Sequence, residues 1–472
     1  MNRMFQIPDQ LAFASLSGDF NPMHTDERAA RRLLFGKPVV HGIHAVLWCI
    51  NEWCQSLSQP GALRTLRADF QRPILVGNSV SYESATGRRG ETEILLRSDG
   101  RTVLRLRLDW AATRDFPTTL GVAAALPPST ECMAHDEASL PGLSGSLPLF
   151  LAEREFGQLF PRLLGLLPRS QLATLLATTR IVGMECPGLH SLYSHLALEF
   201  DPRIQPETQA NSLSWRVESV DERFHLAFMG MHGPSVRGSM RAFVRPAPRQ
   251  QISFKGACSL VDPGDFNGSR AWIVGGSRGL GEVAAKLLAA GGAHVTITYH
   301  RGIDDAERVA SEIRAGGGVV QVQALDVLRA SDTRATLLGT EKGPTELLYF
   351  ATPVIDPGAA GQFSADLFHS YCQYYVHGFT ALVHTLASRG LRRVYFPSSV
   401  YVDDPPAGFA EYAAAKAAGE AVCRAMENAY RGLAISTPRL PRLATDQTAS
   451  LSQLDAPDPA PLILATLKRR AG

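Results

Sequence analysis

The chain of 472 residues is too long for one hydrophobic core and is expected to form about two to four domains. Its composition is that of a globular protein, and a net charge of +2 gives no reason to expect a nucleic-acid partner or a strongly anionic surface. No run approaches the ~18 apolar residues of a membrane span, and the amino-terminal segment lacks a signal-peptide core. The 7 cysteines are widely spread, and no pair has metal-ligand spacing. We therefore expect a cytoplasmic protein with reduced thiols, no metal and no membrane partner.

A polar motif, FASLSGDFNPMHTD, occupies residues 13–26. Asp19 and His24 stand in a loop that a glycine and a proline constrain, so their side chains can converge on one water molecule. Hydration of an α,β-unsaturated thioester needs a base for the water and an acid for the α-carbon. Asn21 can hold that water or orient the histidine. The string alone is also good turn chemistry, which leaves a turn without catalytic function as the alternative.

The string VVHGIH opens an apolar helix predicted over residues 42–56. The amide of Gly42 at this helix N-terminus can donate to the thioester oxygen, with help from the helix dipole. Together, GDFNPMHTD and VVHGIH resemble the signature of the MaoC-like R-specific enoyl-CoA hydratases, over residues 8–110. The resemblance implies a hotdog fold with Asp19 and His24 as the catalytic pair.

Alternating apolar and polar residues after this helix predict half-buried strands over residues 64–70, 79–86, 91–98 and 102–110. One long helix wrapped by such an antiparallel sheet is a hotdog, an α+β arrangement that we place at residues 1–114. Residues 113–148 are rich in Pro, Ser and Gly without a sustained period, and they are predicted to be a linker.

A similar order recurs over residues 149–246, with a helical start and further alternating segments. We predict a second hotdog here, so that two sheet edges are buried against each other in a double hotdog. This half has no GDxNPxH motif and is expected to be a substrate-binding or degenerate half. Only structural roles are expected for His190, Ser191 and His195, and Cys186 has no base nearby in sequence that would make it a nucleophile.

A second stretch rich in Pro, Ser and Gly, residues 245–268, is predicted to be another linker. Strands and helices alternate after it, which is typical of an α/β Rossmann-type doubly wound parallel sheet. The predicted strands are RAWIVGG, HVTITYH, VVQVQALDV, ELLYFAT, RRVYFPSS and LAISTPRL. We place this domain at residues 268–448 and a C-terminal tail at residues 449–472.

The first of these strands runs into a glycine-rich loop and then a helix. Glycines there permit a tight turn and let backbone amides approach a pyrophosphate at the helix N-terminus. The loop residues expected to bind a nicotinamide cofactor are Gly275, Ser277, Arg278, Gly279, Leu280 and Gly281.

The second strand is followed by His300 and Arg301, where an acidic residue would bind the ribose of NAD. Arg301 and Arg278 suit a 2′-phosphate instead, because a guanidinium pairs with phosphate oxygens in a bidentate manner. NADP(H) is therefore predicted in preference to NAD. Asp326 closes the third strand, where its carboxylate can meet the adenine amino group.

Tyr412 and Lys416 lie one turn apart on the same side of a predicted helix. A lysine held there is expected to lower the pKa of the phenol, which then protonates a carbonyl that hydride reduces. Ser399 ends a strand upstream and can hydrogen-bond the same carbonyl oxygen.

Residues 269–448 resemble the short-chain dehydrogenase/reductase family, nearest its β-ketoacyl-thioester reductases. GGSRGLG matches the family's cofactor loop, and the other matching positions are the adenine contact Asp326 and Val327 and the catalytic Ser399, Tyr412 and Lys416. The resemblance implies that Tyr412 and Lys416 also contact the cofactor, with Lys416 on the nicotinamide ribose.

The chain departs from that family around the expected site. Tyr349-Phe350-Ala351-Thr352 replaces the family's NNAG stretch, although Ala351 is still expected at the cofactor. Tyr375 stands where the family has the asparagine of its proton relay, so the relay must be altered or water-mediated. Pro441-Arg442 replaces the family's Pro-Gly, and too few residues follow for the usual substrate lid and seventh strand.

We therefore expect a bifunctional enzyme that acts on acyl-CoA or acyl carrier protein thioesters. Its reductase would convert a 3-oxoacyl thioester with NADPH to the (3R)-hydroxyacyl thioester, which its hydratase would interconvert with the trans-2-enoyl thioester. The alternative is an active hydratase joined to a non-catalytic nucleotide-binding domain that regulates or scaffolds. Both families that the chain resembles form dimers or tetramers, so a homodimer or higher homo-oligomer is expected.

Overall fold

The structure is a computed structural model that describes residues 1–33, 35–87, 91–112, 131–204, 211–329, 343–355, 357–358, 361–448 and 456–469. The described chain divides into two compact units, unit 1 at Met1–Ala247 and unit 2 from Pro248 onward. None of the helices in these described ranges is long and apolar enough to span a lipid bilayer.

Unit 1 is built on one antiparallel sheet. Its strands are β1 (Asn2–Met4), β2 (Ala62–Phe70), β3 (Ser79–Thr86), β4 (Thr92–Ser98), β5 (Arg101–Ala111), β6 (Ser144–Pro148), β7 (Ser191–Phe200), β8 (Ser212–Asp221), β9 (Leu226–Gly233) and β10 (Val236–Val244). Within the described residues they pair in the order β1-β3-β4-β5-β2-β7-β10-β9-β8-β6. Side chains alternate between a buried and a more exposed face, as in β4, where Ile94 and Leu96 are fully buried. The strands that this alternation predicts are present, with slightly shifted ends.

The strand order repeats about the centre of this sheet. β1 to β5 form one half and β6 to β10 the other, with corresponding strands in corresponding places. The halves join through the antiparallel pair β2 and β7, where Leu66 lies opposite Leu198 and Ala68 opposite Leu196. Each half therefore covers a sheet edge that the other would expose, as the sequence repeat predicts.

The helices of unit 1 are α1 (Ile7–Ser17), α2 (Pro22–Thr25), α3 (Glu27–Ala30), α4 (Gly42–Trp53), α5 (Glu153–Leu159), α6 (Leu163–Leu166) and α7 (Arg169–Arg180). α4 and α7 contact each other, and most residues of both are buried. Apolar side chains of these two helices and of one sheet face form a continuous hydrophobic cluster. α4 is the helix predicted over residues 42–56, and α7 is its counterpart in the second half. α7 runs on into a π-helical turn, Ile181–Glu185.

The described part of the first predicted linker belongs to the second half of unit 1. β6 pairs with β8, and the Met133 backbone hydrogen-bonds with the backbones of Met184 and Leu189. Residues 113–130 of that prediction lie outside the described residues. The linker prediction was wrong for the described part, because a short edge strand that contains Gly, Ser and Pro shows no clear apolar period.

Unit 2 contains a parallel sheet, as predicted. Its strands are β11 (Arg270–Val274), β12 (His294–Tyr299), β13 (Val319–Ala324), β14 (Glu346–Tyr349), β15 (Arg393–Tyr395) and β17 (Ala434–Ser436), while β16 (Ser398–Ser399) and β18 (Arg439–Leu440) form a separate short pair. In the part of the chain that the structure describes, the large sheet has the order β13-β12-β11-β14-β15-β17. This is the strand order of a doubly wound dinucleotide-binding fold.

The helices of unit 2 are α8 (Phe254–Leu260), α9 (Gly279–Ala290), α10 (Ile303–Ala315), α11 (Ala365–Cys372), α12 (Phe379–Ala387), α13 (Ala410–Ala429) and α14 (Pro459–Lys468). α8 and α14 both pack against α9 in the hydrophobic core. They lie in the second predicted linker and in the predicted C-terminal tail, so both stretches contain core elements that the sequence reading missed. Each helix is short, which leaves little room for a periodic signal.

Candidate active sites

A buried acid–imidazole cluster lies in unit 1. Asp19 follows α1, His24 lies in α2, and His41 directly precedes α4. Their exposed fractions are 1%, 7% and 0%, and their polar atoms lie within 4.8 Å of one another. The rings of His24 and His41 stack with centroids 3.8 Å apart. The structure thus brings the predicted pair together and adds a histidine for which no role was predicted.

The imidazole of His24 is held in one tautomer. Its Nδ1 lies 2.6 Å from the carbonyl oxygen of Val39, which can only accept, so Nδ1–H donates and Nε2 carries the lone pair. Burial lowers the pKa of His24 below its ordinary value, although the charge of Asp19 partly opposes this shift. His24 is therefore neutral at physiological pH, with a basic Nε2.

The carboxyl of Asp19 is fixed at both oxygens. Oδ1 accepts from the backbone N–H of Asn21 at 3.2 Å, and Oδ2 accepts from the hydroxyl of Thr179 at 2.7 Å. Burial raises the pKa of Asp19, while His24 and these two donors partly lower it. Gly183 packs so closely that a Cβ there would lie 2.2 Å from Oδ1. The end of α7 and the π-helical turn after it therefore shape this site from the second half.

Asn21 holds the motif loop in place. Its Nδ2 donates to the carbonyl oxygens of Gly183 and Gly188 at 3.0 and 3.2 Å, and its Oδ1 accepts from the backbone N–H of Met23 at 3.1 Å. The side chain is fully buried. A contact of Asn21 with the reacting water stays a prediction.

Gly42 is the first residue of α4, where the backbone N–H has no acceptor within the helix. A Cβ at this position would lie 2.7 Å from the Phe70 ring, so only glycine lets that ring pack here. The preceding His41 has Nδ1 3.0 Å from Gln10 Oε1 and Nε2 3.0 Å from the backbone oxygen of Asp19. Both ring nitrogens of His41 face these oxygens, so neither is free to bind a metal ion.

The remaining candidates of the second half make structural contacts. His195 Nδ1 lies 2.7 Å from Asp69 Oδ1, and the Ser191 backbone oxygen accepts from Arg245 Nε at 3.1 Å. Burial raises the pKa of the Cys186 thiol to about 12, so it is an unreactive thiol. These contacts fit the structural roles predicted for this half.

A tight glycine loop connects β11 to α9 in unit 2. Gly275 and Gly279 have φ values of 77° and 56°, in the left-handed region that favours glycine. A Cβ at Gly281 would lie 2.2 Å from the carbonyl oxygen of Gly275, and a Cβ at Gly275 would lie 3.1 Å from the backbone N of Ala351. The remaining loop residues of the prediction stand at the start of α9: Ser277, Arg278 and Leu280. The loop can therefore bring backbone amides close to a phosphate at the α9 N-terminus.

The residues predicted to recognise the adenosine part lie beyond β12 and β13. His300 Nε2 lies 3.4 Å from Asp326 Oδ2, and Oδ1 of Asp326 accepts from the backbone N–H of Leu328 at 3.0 Å. Arg301 is exposed beside His300, whereas Val327 is buried in the core. Asp326 therefore already has protein partners, and its contact with an adenine stays a prediction.

Ser399, Tyr412 and Lys416 come together in unit 2. Ser399 lies in β16, close enough to Tyr412 to lower the pKa of its phenol in part, while α13 carries both Tyr412 and Lys416. The Nζ of Lys416 donates to the carbonyl oxygen of Pro397 at 2.7 Å and lies 4.0 Å from the centroid of the Tyr375 ring. The Lys416 ammonium thus has one hydrogen bond to a carbonyl oxygen and one contact with an aromatic ring.

The electrostatics of this triplet differ from the prediction. Burial raises the pKa of Tyr412 to about 12, although the hydrogen bond with Ser399 lowers it in part. Burial also lowers the pKa of Lys416 to about 7. The predicted lowering of the phenol pKa by the ammonium was wrong, because Lys416 Nζ points at Pro397 and lies 6.0 Å from the Tyr412 ring centroid.

Tyr375 lies in a π-helical turn, Gln373–Gly378, between α11 and α12. Its hydroxyl lies 2.5 Å from Thr352 Oγ1, and its ring packs edge-on against Tyr412 with centroids 5.9 Å apart. It is only 1% exposed. The sequence predicted an altered proton relay at Tyr375. The structure places the Tyr375 ring against Lys416 and its hydroxyl against Thr352.

Two family models match different parts of the chain. Residues 7–94 match the MaoC like domain, and residues 269–453 match the short chain dehydrogenase. The chain therefore joins a MaoC-like domain to a short-chain dehydrogenase domain. The resemblances to the MaoC-like domain and to the short-chain dehydrogenase family are thereby confirmed at the level of the two domains.

Known relatives match one part or the other. An (R)-specific enoyl-CoA hydratase of Aeromonas caviae is 32% identical over 84 residues, which cover 18% of this chain and 63% of that protein. The chain thus spans less than two thirds of that relative. An NADPH-dependent aldehyde reductase-like protein of Arabidopsis thaliana chloroplasts is 28% identical over 188 residues, 36% of this chain and 69% of that protein. A crystal structure of a short chain dehydrogenase from Burkholderia cenocepacia in complex with NADP has 24% identity and a TM-score of 0.39, covering 44% of this chain and 92% of that one.

Proposed function

We propose that the chain is a bifunctional acyl-thioester enzyme, with a hydratase site in unit 1 and a reductase site in unit 2. Unit 1 is then a double hotdog whose first half carries the catalytic pair. The observation that carries the proposal is the buried cluster in which a neutral His24 lies beside Asp19. The hydratase of Aeromonas caviae and the reductase-like protein of Arabidopsis thaliana support the two activities.

In the hydration direction, His24 Nε2 takes a proton from water while the water oxygen bonds to C3 of a trans-2-enoyl thioester. The electrons of the C2–C3 double bond move toward the carbonyl, and the enolate oxygen accepts a hydrogen bond from Gly42 N–H. Asp19, whose pKa burial raises, gives its carboxyl proton to C2. Proton exchange between His24 and Asp19 through solvent restores both groups, and the net change is the addition of one water.

The glycine loop of unit 2 fits a dinucleotide, because Gly275 and Gly281 leave space that side chains would fill. NADP(H) is the cofactor that fits this site, and Arg278, His300 and Arg301 would hold its 2′-phosphate. The two residues directly after β12, His300 and Arg301, are basic or neutral rather than acidic, which favours the phosphorylated cofactor. When bound, NADPH supplies a hydride to C3 of a 3-oxoacyl thioester.

Tyr412 donates its phenolic proton to the carbonyl oxygen of that thioester, and Ser399 hydrogen-bonds the same oxygen. A pKa of about 12 keeps the Tyr412 phenol protonated at physiological pH, as a proton donor must be. Lys416 lies one turn further along α13 and would hold the nicotinamide ribose of a bound cofactor. The product is a (3R)-3-hydroxyacyl thioester, which unit 1 dehydrates reversibly.

The substrates are thioesters of CoA or of acyl carrier protein, and both units handle the same 3-hydroxyacyl intermediate. The domain combination supports this pairing, because consecutive reactions explain why a hydratase and a reductase share one chain. As the resemblances suggest, the chain assembles as a homodimer or higher homo-oligomer.

Separate assays of the two reactions test the proposal. Crotonyl thioester hydration is followed by loss of enoyl absorbance, and acetoacetyl thioester reduction by NADPH oxidation. His24→Ala is expected to lower the hydration kcat by about 10²-fold or more, because it removes the base, and to leave NADPH oxidation unchanged. Tyr412→Phe is the reciprocal control and should abolish only NADPH oxidation. Equal activity of His24→Ala and the unmodified chain in hydration would contradict the proposal for unit 1.

A second candidate function keeps the hydratase and makes unit 2 a nucleotide-binding domain without catalysis. It is favoured by the contacts of Lys416, whose Nζ is held by Pro397 and the Tyr375 ring and does not lower the pKa of Tyr412. In that case NADPH binds, as seen by its fluorescence change, without oxidation by any 3-oxoacyl thioester. Hydration proceeds normally in the same preparation.

A further inference from the structure

The hydroxyl of Thr179 donates to the carboxyl of Asp19 across 160 residues of sequence. Thr179 lies on α7, in the half of unit 1 that has no GDxNPxH motif. We infer that Thr179 is a positioning residue for the hydratase reaction, which fixes the rotamer of the Asp19 carboxyl. The second half then completes the active site of the first. This inference rests on the hydratase function proposed for unit 1.

The bond is short and shielded from water. Its length is 2.7 Å, and Asp19 and Thr179 are 1% and 3% exposed. Hydrogen bonds to a carboxyl are stronger in such surroundings, because water does not compete for either partner. The contact therefore holds the carboxyl in one orientation.

Thr179 differs from the other buried threonines of α7. The hydroxyls of Thr174 and Thr178 each donate to a carbonyl oxygen within their own helix at 2.8 Å. Such bonds within a helix are the ordinary way to satisfy a buried threonine. Thr179 instead turns its hydroxyl away from the helix toward the other half, which is a specific contact with the acid.

The two oxygens of the Asp19 carboxyl have different surroundings. The hydroxyl of Thr179 donates to Oδ2, while Oδ1 accepts from the backbone N–H of Asn21. Oδ1 lies in the space that Gly183 leaves, since a Cβ there would be 2.2 Å away. Thr179 and Gly183 thus act together, one by holding one oxygen and the other by making room for the second.

The test compares Thr179→Val, Thr179→Ser and Thr174→Val in the full chain, with crotonyl thioester hydration as the readout. Thr179→Val keeps the shape and removes the donor, and it should lower kcat by about 10-fold or more with KM changed by less than about twofold. Thr179→Ser restores the hydroxyl and should recover most of the activity. Thr174→Val removes an equally buried hydroxyl of α7 that does not touch Asp19, and it should behave as the unmodified chain.

The pH profile separates positioning from packing. Because the Thr179 donor favours the carboxylate form, its removal should move the limb of the kcat profile that belongs to Asp19 upward by about one pH unit. Thr174→Val should leave the profile in place. An unchanged profile in Thr179→Val, or an equal loss of kcat in Thr174→Val, overturns the inference. Should Thr179→Val not fold, Thr179→Ala replaces it with the same expected outcomes.

Asp19→Asn distinguishes failure of the inference from failure of the proposed function. If this variant hydrates as fast as the unmodified chain, Asp19 is not the acid and the hydratase proposal fails with the inference. If Asp19→Asn is inactive while Thr179→Val is fully active with an unchanged profile, only the inference fails.

Discussion

Lys416 illustrates at the scale of a single residue how burial and function oppose each other. Its Nζ donates to the Pro397 carbonyl oxygen and lies 4.0 Å from the Tyr375 ring centroid, and burial lowers its pKa from the ordinary 10.5 to about 7. An ammonium loses much of its solvation in such a place, and a carbonyl and a ring replace it only in part. The folded protein therefore binds this proton less tightly than the unfolded chain does.

This difference predicts a pH dependence of stability. Between about pH 7 and pH 10.5, unfolded chains carry the Lys416 proton and folded ones mostly do not, so stability from this group increases as pH rises through that window. Lys416→Met removes the group. Both chains are measured by thermal unfolding from about pH 7 to pH 9. The unfolding midpoint of the unmodified chain, relative to that of Lys416→Met, should therefore increase as the pH rises. A difference that stays constant over that range would show that Lys416 keeps its proton in the folded state.

The residues that sequence alone could predict are those that stand in continuous motifs. Asp19 and His24 come together because one short segment, a loop and the start of α2, carries both, and Tyr412 and Lys416 come together because one helix carries both. Thr179 has no such signal, since its contact with Asp19 exists only after α7 packs beside the motif loop. The pKa of Tyr412 was mispredicted for a similar reason, because the direction in which Lys416 points depends on Pro397 and Tyr375.

At the scale of an element, the π-helical turn Ile181–Glu185 joins the end of α7 to the hydratase site. The carbonyl oxygen of Gly183 in this turn accepts a hydrogen bond from the side-chain amide of Asn21. Because Gly183 has no side chain, it also leaves room for the Asp19 carboxyl. π-Helical turns inside helices are frequently found at functional sites. Here the turn brings a backbone without a side chain against the acid.

Gly183→Ala tests this arrangement. The added Cβ would lie 2.2 Å from Asp19 Oδ1, so the carboxyl must turn away and lose its bond with Thr179. We expect the hydration kcat to fall by about 10²-fold, because a small displacement of a catalytic group is costly. Gly165→Ala in α6 is the matched control, since a Cβ there meets nothing within 4 Å, and its kcat should be unchanged. Full activity of Gly183→Ala would mean that Asp19 has room to move without consequence.

The strands and long helices were predictable because burial imposes a period on the sequence. The buried–exposed alternation of β4 and β9 is visible in their residues, and the order of the strands follows from the repeat. β6 was not predicted because it is an edge strand of small and polar residues. α8 and α14 were not predicted because they are too short to show a clear apolar period. The π-helical turns leave no period at all, because they depend on the packing around them.

At the scale of the whole molecule, the proposal couples two units through chemistry. Unit 2 releases an alcohol with a defined configuration at C3, and unit 1 removes or adds that hydroxyl beside His24. The base and the thioester donor of unit 1 are fixed by Val39 and the start of α4, and under the proposed function we expect the hydroxyl to reach Nε2 from one face of the substrate. The 3-hydroxyacyl thioester that unit 2 forms must therefore have the same configuration at C3 as the one on which unit 1 acts.

This agreement is testable in one vessel. The unmodified chain with acetoacetyl thioester and NADPH should form (3R)-3-hydroxybutyryl thioester together with crotonyl thioester, in the ratio set by the hydration equilibrium. His24→Ala should stop at the (3R) alcohol, and added (3S) alcohol should remain unconsumed in both preparations; chiral chromatography measures each species. If unit 2 formed the (3S) alcohol instead, His24 would face a hydrogen rather than the hydroxyl at C3. Crotonyl thioester would then appear no faster than in His24→Ala, and a shared intermediate would no longer explain why one chain carries both sites.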